Sequence, residues 1–88
     1  MTRYTLPVRN SVAKDLKKIP RDLIPAIFTR IENLQDNPLL RDAVKISGAD
    51  HFYRIRAGEY RIVYQVLHEN SEITVYYVRH RSIAYRTW

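Results

Sequence analysis

The 88-residue sequence has no cysteine, only two glycines, and no apolar run approaching the length that spans a membrane. Together with the lack of a signal-peptide pattern at the N-terminus, the absence of cysteine favours an intracellular, cytoplasmic protein with no membrane segment. The glycines stand at positions 48 and 58, too few and too far apart for a glycine-rich phosphate loop. A nucleotide site built on such a loop is therefore excluded.

The sequence also lacks the spacing of a metal site. His51, His68 and His80 are far apart and have no clustered carboxylates beside them. No serine, histidine and aspartate can be placed as a catalytic triad, although such residues can meet in space while distant in sequence. We therefore expect a protein that works without a metal ion or a cofactor.

The chain is short and basic, with fifteen Lys and Arg against nine Asp and Glu and a net charge of +6. Its length fits one small domain, residues 1–88, and the charge favours a polyanionic partner such as RNA, DNA or an acidic protein segment. All cations after Lys45 are arginines, namely Arg54, Arg56, Arg61, Arg79, Arg81 and Arg86. Because arginine binds phosphate through two parallel hydrogen bonds, this distribution favours phosphate contact over a merely solvated surface.

Residues 51–66, HFYRIRAGEYRIVYQV, read as a β-hairpin of two alternating strands. Gly58-Glu59 fits the two central residues of a type II′ turn, which requires glycine first. In that register Arg56 lies directly opposite Arg61, and Arg54 projects from the same face. Like charges opposed across two strands destabilise a sheet, so this arrangement indicates a site for an anionic ligand.

The remaining pattern predicts an α+β fold, in which an antiparallel sheet of about four to five strands packs against an N-terminal helical hairpin. The predicted elements are a strand at 3–9, a helix capped by Asn10 or Ser11 and ended by Pro20, a helix at 21–36 with Pro25 in its first turn, and strands at 43–46 and 72–81. The last strand carries apolar residues on both faces, which is typical of a central strand. The tyrosines at 53, 60, 64, 76 and 77 are expected in the sheet and core.

The first predicted helix turns a row of lysines, Lys14, Lys17 and Lys18, outward. Such a row is ordinarily a solvated helix face. The alternative interpretation is a second patch that contacts a large RNA surface.

An arginine-rich surface can support phosphodiester chemistry without a metal. Arginines can hold the non-bridging oxygens and stabilise the charge that builds in a pentacoordinate transition state, while RNA supplies its own 2′-hydroxyl nucleophile. The protein must then add a proton acceptor for that hydroxyl and a donor for the leaving 5′-oxygen, each contributing about 10² to 10⁴-fold.

The order of a short strand, two helices, YRIRAGEYRIVYQV and VRHRSIAYR resembles the RelE/ParE superfamily of bacterial toxins over nearly the whole chain. The resemblance implies neutralisation by a cognate antitoxin. In the RelE-like branch it implies ribosome-dependent cleavage of mRNA in the ribosomal A site, leaving a 2′,3′-cyclic phosphate and a 5′-hydroxyl. The ParE-like branch instead inhibits DNA gyrase and lacks that catalytic set. A third interpretation is an RNA-binding module without chemistry.

The RelE-like set falls on Arg54, Arg56, Arg61, Arg81 and Tyr85. The resemblance implies that Arg56 and Arg61 stabilise the phosphorane and that Arg54 grips the RNA backbone. It further implies that Arg81 neutralises or protonates the leaving oxygen, and that Tyr85 orients or deprotonates the 2′-hydroxyl.

The identity of the general base stays open at this point. RelE-like toxins can carry lysines at the basic pair, whereas arginine stays protonated and hardly abstracts a proton. Tyr85 or His80 could take over that role, although Tyr85 could also cover a core edge and His80 could be packed. Arg79 and His80 are expected to contact RNA. The antitoxin is expected to use acidic and apolar residues to cover the arginine face or displace the Tyr85 tail.

Overall fold

The computed structural model describes residues 3–7 and 9–83 and has the predicted α+β architecture. Two helices are followed by a four-stranded antiparallel sheet whose strands lie in chain order. The elements are α1 (Asn10–Lys17), α2 (Ile24–Asp36), β1 (Val44–Lys45), β2 (Phe52–Ala57), β3 (Tyr60–Leu67) and β4 (Glu72–His80). None of the helices in the described part of the chain is both long and apolar enough to cross a membrane.

The hairpin of β2 and β3 has the predicted register. Arg56 pairs with Arg61, and Ala57 pairs with Tyr60. Gly58 has a φ of 61°, as the first central position of a type II′ turn requires. The strand alternation therefore separates an apolar face from an arginine face.

The apolar face of the sheet packs against both helices. The buried core between sheet and helices consists of Val12 of α1, Ile19 just after α1, Ile27, Ile31 and Leu34 of α2, Ile55, Ile62, Tyr64 and Val66 of the hairpin, and Ile73, Val75 and Val78 of β4. Complete burial of such side chains contributes about 1.5 to 3 kcal/mol each. The opposite face of the sheet carries the arginines.

The expectation that 72–81 forms a central strand is wrong, because β4 lies at an edge of the sheet. A β-bulge between Val63 and Tyr64 shifts the pairing, so that Val63 faces Tyr77 while Tyr64 faces Val75. The extra residue lets Val75 and Val78 both face the core although they are three apart. The two-sided apolar pattern thus reflects a change of phase within one edge strand.

Side chains and backbone of the N-terminal residues cover the outer edge of β4. Thr5 forms a parallel bridge to Glu72, which among the described residues 3–7 and 9 is all that is seen of the strand predicted at 3–9. Further along, the Ser11 hydroxyl donates to the carbonyl of Tyr76 at 3.0 Å, and the Asp15 carboxylate accepts from the N–H of Val78 at 3.1 Å. These contacts satisfy backbone groups that an edge strand leaves unpaired.

The boundaries of three elements differ from or refine the prediction. The N-cap of α1 is Arg9 and no side chain caps the helix, because Ser11 instead bonds to β4. Pro25 lies in the first turn of α2, as expected, after a 3₁₀ turn at Arg21–Leu23. The strand predicted at 43–46 is only the two residues of β1.

Candidate functional site

An open pocket on the arginine face brings together three of the predicted site residues. Arg54, Arg56 and Arg61 line it with Asp42 and Val44, around a volume of about 270 Å³. We call this set the arginine pocket. β2 supplies Arg54 and Arg56, and β3 supplies Arg61. Val44 belongs to β1, and Asp42 lies in the segment just before it.

Arg61 lies at the centre of a row of three arginines across the sheet. Its pairing partners are Arg56 on β2 and Arg79 on β4. Arg61 is only 7% exposed, and its Nη1 donates to the carbonyls of Gly58 at 3.1 Å and Tyr60 at 3.2 Å. Neutral carbonyls satisfy donors without cancelling the positive charge, so the row remains a site of strong positive potential.

Within residues 3–7 and 9–83, no hydrogen bond or ion pair occupies the guanidinium of Arg56, which is exposed. Its backbone carbonyl accepts a hydrogen bond from Nε of Arg30 at 2.9 Å. The Arg56 side chain therefore offers its donors to a ligand in the arginine pocket.

Asp42 is the one carboxylate among the described residues that line the arginine pocket. Nη2 of Arg30, on α2, donates to both of its oxygens, at 2.7 Å to Oδ1 and 2.5 Å to Oδ2. This hydrogen bond is the main reason that the pKa of Asp42 lies below its ordinary value of 3.8, and the charge of Arg30 and the N–H of Arg56 act in the same direction. Partial desolvation opposes the shift. The carboxylate is therefore ionised at neutral pH and its orientation is fixed.

Asp42 and Arg30 are site residues that no sequence motif predicts, because only the fold brings the two together. The strand pairing explains the position of Asp42. Val44 pairs with Arg54, so extending that antiparallel register by two residues places Asp42 beside Arg56. That register joins segments distant in sequence, so it follows from the fold and not from a local pattern.

Tyr64 anchors the segment that carries Asp42. Its hydroxyl donates to the carbonyl of Pro38 at 2.7 Å, and its ring is completely buried. Burial raises the pKa of the Tyr64 phenol, so the hydroxyl stays protonated and remains a donor. The path of the chain from α2 to the arginine pocket is thereby tied to the core.

Arg81 lies just beyond β4 and is bound to the hairpin turn. Its backbone N–H donates to the carbonyl of Glu59 at 2.8 Å, and its Nε lies 2.8 Å from Oε2 of Glu59. Arg81 does not line the arginine pocket itself. Glu59 is a third residue, after Asp42 and Arg30, that no sequence pattern assigns to the site.

Arg79 is directed toward the outer edge of β4. Its guanidinium lies over the ring of Tyr77, 3.9 Å from the centroid, and its Nε lies 3.8 Å from Oδ2 of Asp15. The cation–π contact and the carboxylate hold the charge at the end of the arginine row.

The structure does not bring His80 to the arginine pocket. His80 pairs with Tyr60 and contacts that ring edge-on, with centroids 5.5 Å apart, on the side of the sheet that faces the helices. Its Nδ1 accepts the N–H of Ser82 at 3.2 Å, so the lone pair of that nitrogen is engaged. His80 lines a separate cavity of about 360 Å³ with Asp15 and Lys18.

The lysines on and just after α1 are exposed, namely Lys14, Lys17 and Lys18. α1 packs against β4 and not beside the arginine pocket. Tyr85 lies outside the described residues. Within the part of the chain that the structure describes, no three His, Asp or Glu side chains are grouped as metal ligands would be.

Sequence comparisons agree with this fold. A family model described as "ParE toxin of type II toxin-antitoxin system, parDE" matches residues 7–85. The RelE1 protein of Methanocaldococcus jannaschii is 30% identical over 87 residues, which cover 96% of this chain and 97% of that protein. Toxin RelE3 of the same organism is 42% identical over 57 residues, covering 60% of this chain and 65% of that protein.

Solved structures resemble the chain over most of its length. The archaeal RelE-RelB complex from Pyrococcus horikoshii OT3 matches with a TM-score of 0.79 and 27% identity, covering 92% of this chain and 97% of the matched chain. The RelB-RelE complex from Methanococcus jannaschii matches with a TM-score of 0.75 and 32% identity, covering 92% and 96%. The chain therefore belongs to the RelE/ParE superfamily of type II toxin-antitoxin toxins and is RelE-like.

Proposed function

We propose that this RelE-like toxin is a metal-independent endoribonuclease that cleaves mRNA in the ribosomal A site by attack of a 2′-hydroxyl. The observation that carries the proposal is the arginine pocket. Its volume of about 270 Å³ is several times the roughly 30 Å³ that one water molecule occupies in the liquid. It therefore has room for a phosphodiester among three guanidinium groups.

The arginine row supplies the charge stabilisation that phosphodiester cleavage needs. A guanidinium has five N–H donors, and both carbonyl bonds of Arg61 come from Nη1 alone. Donors of Arg61 and the whole fork of Arg56 therefore remain for the non-bridging oxygens. Negative charge that grows on the phosphorane is favoured more than the ground state, because it relieves repulsion within the row.

Asp42 fits the role of proton acceptor that the arginines cannot perform. Each carboxylate oxygen accepts one bond from Arg30 and keeps a further lone pair for a hydroxyl. In this mechanism Asp42 takes the 2′-hydroxyl proton as the 2′-oxygen bonds to phosphorus. The bond to the 5′-oxygen then breaks, and that oxygen takes a proton from water while Arg81 offsets its charge.

The remaining predicted residues have supporting roles. Arg54 binds the adjacent RNA backbone, and Arg79 extends the positive row. Tyr85 orients the ribose. His80 and the exposed lysines at 14, 17 and 18 contact RNA outside the arginine pocket, where phosphate neutralisation strengthens binding without sequence preference.

A cognate antitoxin is the proposed protein partner. The matched structures from Pyrococcus horikoshii and Methanococcus jannaschii are RelE bound to RelB. For this chain we expect a partner whose acidic residues neutralise the arginine face or displace the Tyr85 tail.

The test is cleavage of a translated message by the purified toxin on programmed ribosomes, with analysis of the product ends. We expect a 2′,3′-cyclic phosphate and a 5′-hydroxyl, and a fall in rate of at least 100-fold for Arg56→Ala and Arg61→Ala. Arg21→Ala removes an exposed arginine elsewhere and is the matched control. A 3′-hydroxyl with a 5′-phosphate would refute the mechanism.

The match to a ParE family model supports one second candidate, a non-enzymatic toxin that inhibits DNA gyrase. Expression of the wild type, Arg56→Ala and Arg61→Ala in cells distinguishes the endoribonuclease from the gyrase inhibitor. Expression in cells would produce gyrase inhibition and a DNA damage response, with intact messages, under the ParE-like alternative. Cleaved messages without gyrase inhibition support the endoribonuclease.

A further inference from the structure

Arg30 lies on the side of α2 that faces the sheet, and its side chain reaches the rim of the arginine pocket. Its neighbours Ile27, Ile31 and Leu34 are buried in the core. Arg30 makes three hydrogen bonds to two residues of the pocket, one to the carbonyl of Arg56 and two to Asp42. A helix that otherwise packs the core thus contacts the candidate site directly.

We propose that Arg30 is a positioning residue, which holds the carboxylate of Asp42 in a fixed orientation against the backbone of Arg56. This inference rests on the proposed endoribonuclease function and deepens it, because it assigns a residue that sets the geometry of the proton acceptor. Arg30 itself does not touch the RNA in this scheme. It acts through Asp42.

The geometry explains why this position holds an arginine. Nε binds the carbonyl of Arg56 while Nη2 binds the carboxylate of Asp42, so one planar group joins a strand to the segment before β1. The compact ammonium of a lysine presents no such fork. Precise placement matters, since a displacement of about 1 Å at a reacting group can lower a rate roughly 100-fold.

Arg30 also determines when the acceptor is ionised. The charged and titratable groups facing Asp42 are Arg30 from α2, Arg54 and Arg56 from β2, and Arg61 and Tyr64 from β3. The hydrogen bond from Arg30 is the largest influence that lowers the pKa of Asp42, whereas burial raises it. Without Arg30, the pKa of Asp42 must rise toward or above its ordinary value.

The first experiment measures steady-state cleavage on programmed ribosomes by Arg30→Gln and Arg30→Lys across the acidic pH range. We expect Arg30→Gln to lower kcat roughly 100-fold, to leave KM within about twofold because RNA contacts are kept, and to move the acidic limb to higher pH. Arg30→Lys should recover part of the pH shift but little of kcat. The control is Arg21→Gln, which replaces an exposed arginine that precedes α2. A wild-type pH profile in Arg30→Gln would overturn the proposal.

A double-mutant cycle with Asp42→Asn separates positioning from general destabilisation. If Arg30 acts through Asp42, adding Arg30→Gln to Asp42→Asn should lower kcat no further. Multiplicative losses would mean that Arg30 acts independently of the carboxylate, against the proposal.

A third measurement does not depend on catalysis. Titration of the Asp42 carboxyl by ¹³C NMR in the folded wild-type and Arg30→Lys proteins reports the contact between Arg30 and Asp42 directly. The Arg30→Lys variant serves in the case that Arg30→Gln fails to fold. An unchanged titration would overturn the role of Arg30 whether or not the chain cleaves RNA. Conversely, a shifted titration in a protein without nuclease activity would remove the proposed function while leaving the Arg30–Asp42 contact established.

Discussion

Glu59 and Arg81 are joined twice, by a backbone hydrogen bond of 2.8 Å and by an ion pair of 2.8 Å between their side chains. Both side chains are more than half exposed, at 61% and 59%. An exposed pair contributes at most about 1 kcal/mol, which a phosphate can readily replace. Glu59 therefore keeps Arg81 at the tip of the hairpin. In the proposed mechanism it competes with RNA for that arginine.

Replacing Glu59 should strengthen RNA binding. Glu59→Gln removes the competing carboxylate, so we expect tighter binding of single-stranded RNA. The dependence of log K on log salt should also steepen by about 0.7 for each phosphate gained. Fluorescence anisotropy at several salt concentrations measures both. Glu69→Gln, at the opposite end of β3, is the control, and equal salt slopes for both variants would contradict the prediction.

The arginine row should make the protein more stable when an anion binds. Arg56 opposes Arg61 across the hairpin, and opposed like charges cost roughly 0.2 to 1 kcal/mol. We expect inorganic phosphate to raise the Tm of the wild type. Without phosphate, Arg56→Gln should raise Tm by a few degrees. The same variant should show a smaller rise in Tm when phosphate is added. Thermal melts with Arg21→Gln as control test this. A lower Tm for Arg56→Gln would count against it.

Asp42 should contribute to the acid stability of the fold. Because the pKa of Asp42 is lowered in the folded state, its contribution is complete above the ordinary value of 3.8 and is lost as pH falls through the lowered value. Asp42→Asn should therefore lose stability less steeply below that pH than the wild type does. The effect is modest, since the side chain is 38% exposed and screened. Acid titration of Tm, with Asp50→Asn as control, measures it; parallel curves would refute it.

The hydroxyl of Tyr64 should stabilise the protein measurably. Tyr64→Phe removes the donor to the carbonyl of Pro38, and we expect a loss of about 1 kcal/mol in the free energy of unfolding. Tyr53→Phe is the matched control, because its ring stacks on Tyr64 and its hydroxyl makes no hydrogen bond within the described residues. Urea unfolding with unchanged m-value measures both, and equal losses would disprove the role of the hydroxyl.

Local patterns predicted the hairpin because its determinants are local. Strict alternation and a glycine at the first turn position fix which residues oppose each other, and Arg56 opposite Arg61 follows from them. The same alternation placed Arg54 on the shared face. Three guanidiniums of the candidate site could therefore be identified from sixteen consecutive residues.

Contacts between distant elements could not be predicted in this way. Arg30 and Asp42 come from a helix and from an irregular segment, and only the packing of α2 on the sheet brings them together. The face occupied by His80 depends on a bulge in β4 that shifts the phase of the strand. A bulge leaves no mark in composition, so an apolar spacing of three predicts a strand that is buried on both sides.

The contacts from Ser11 and Asp15 to β4 have a consequence for the fate of the protein when it partly opens. These residues are four apart on α1 and occupy the edge in place of a neighbouring strand. If α1 detaches, the same event exposes the outer backbone of β4 around Tyr76 and Val78, beyond the part that Thr5 covers. That backbone then becomes a template for strand addition by another molecule. The undocking of one short helix is thus the step from which we expect aggregation to begin, and its prevention is tied to two side chains.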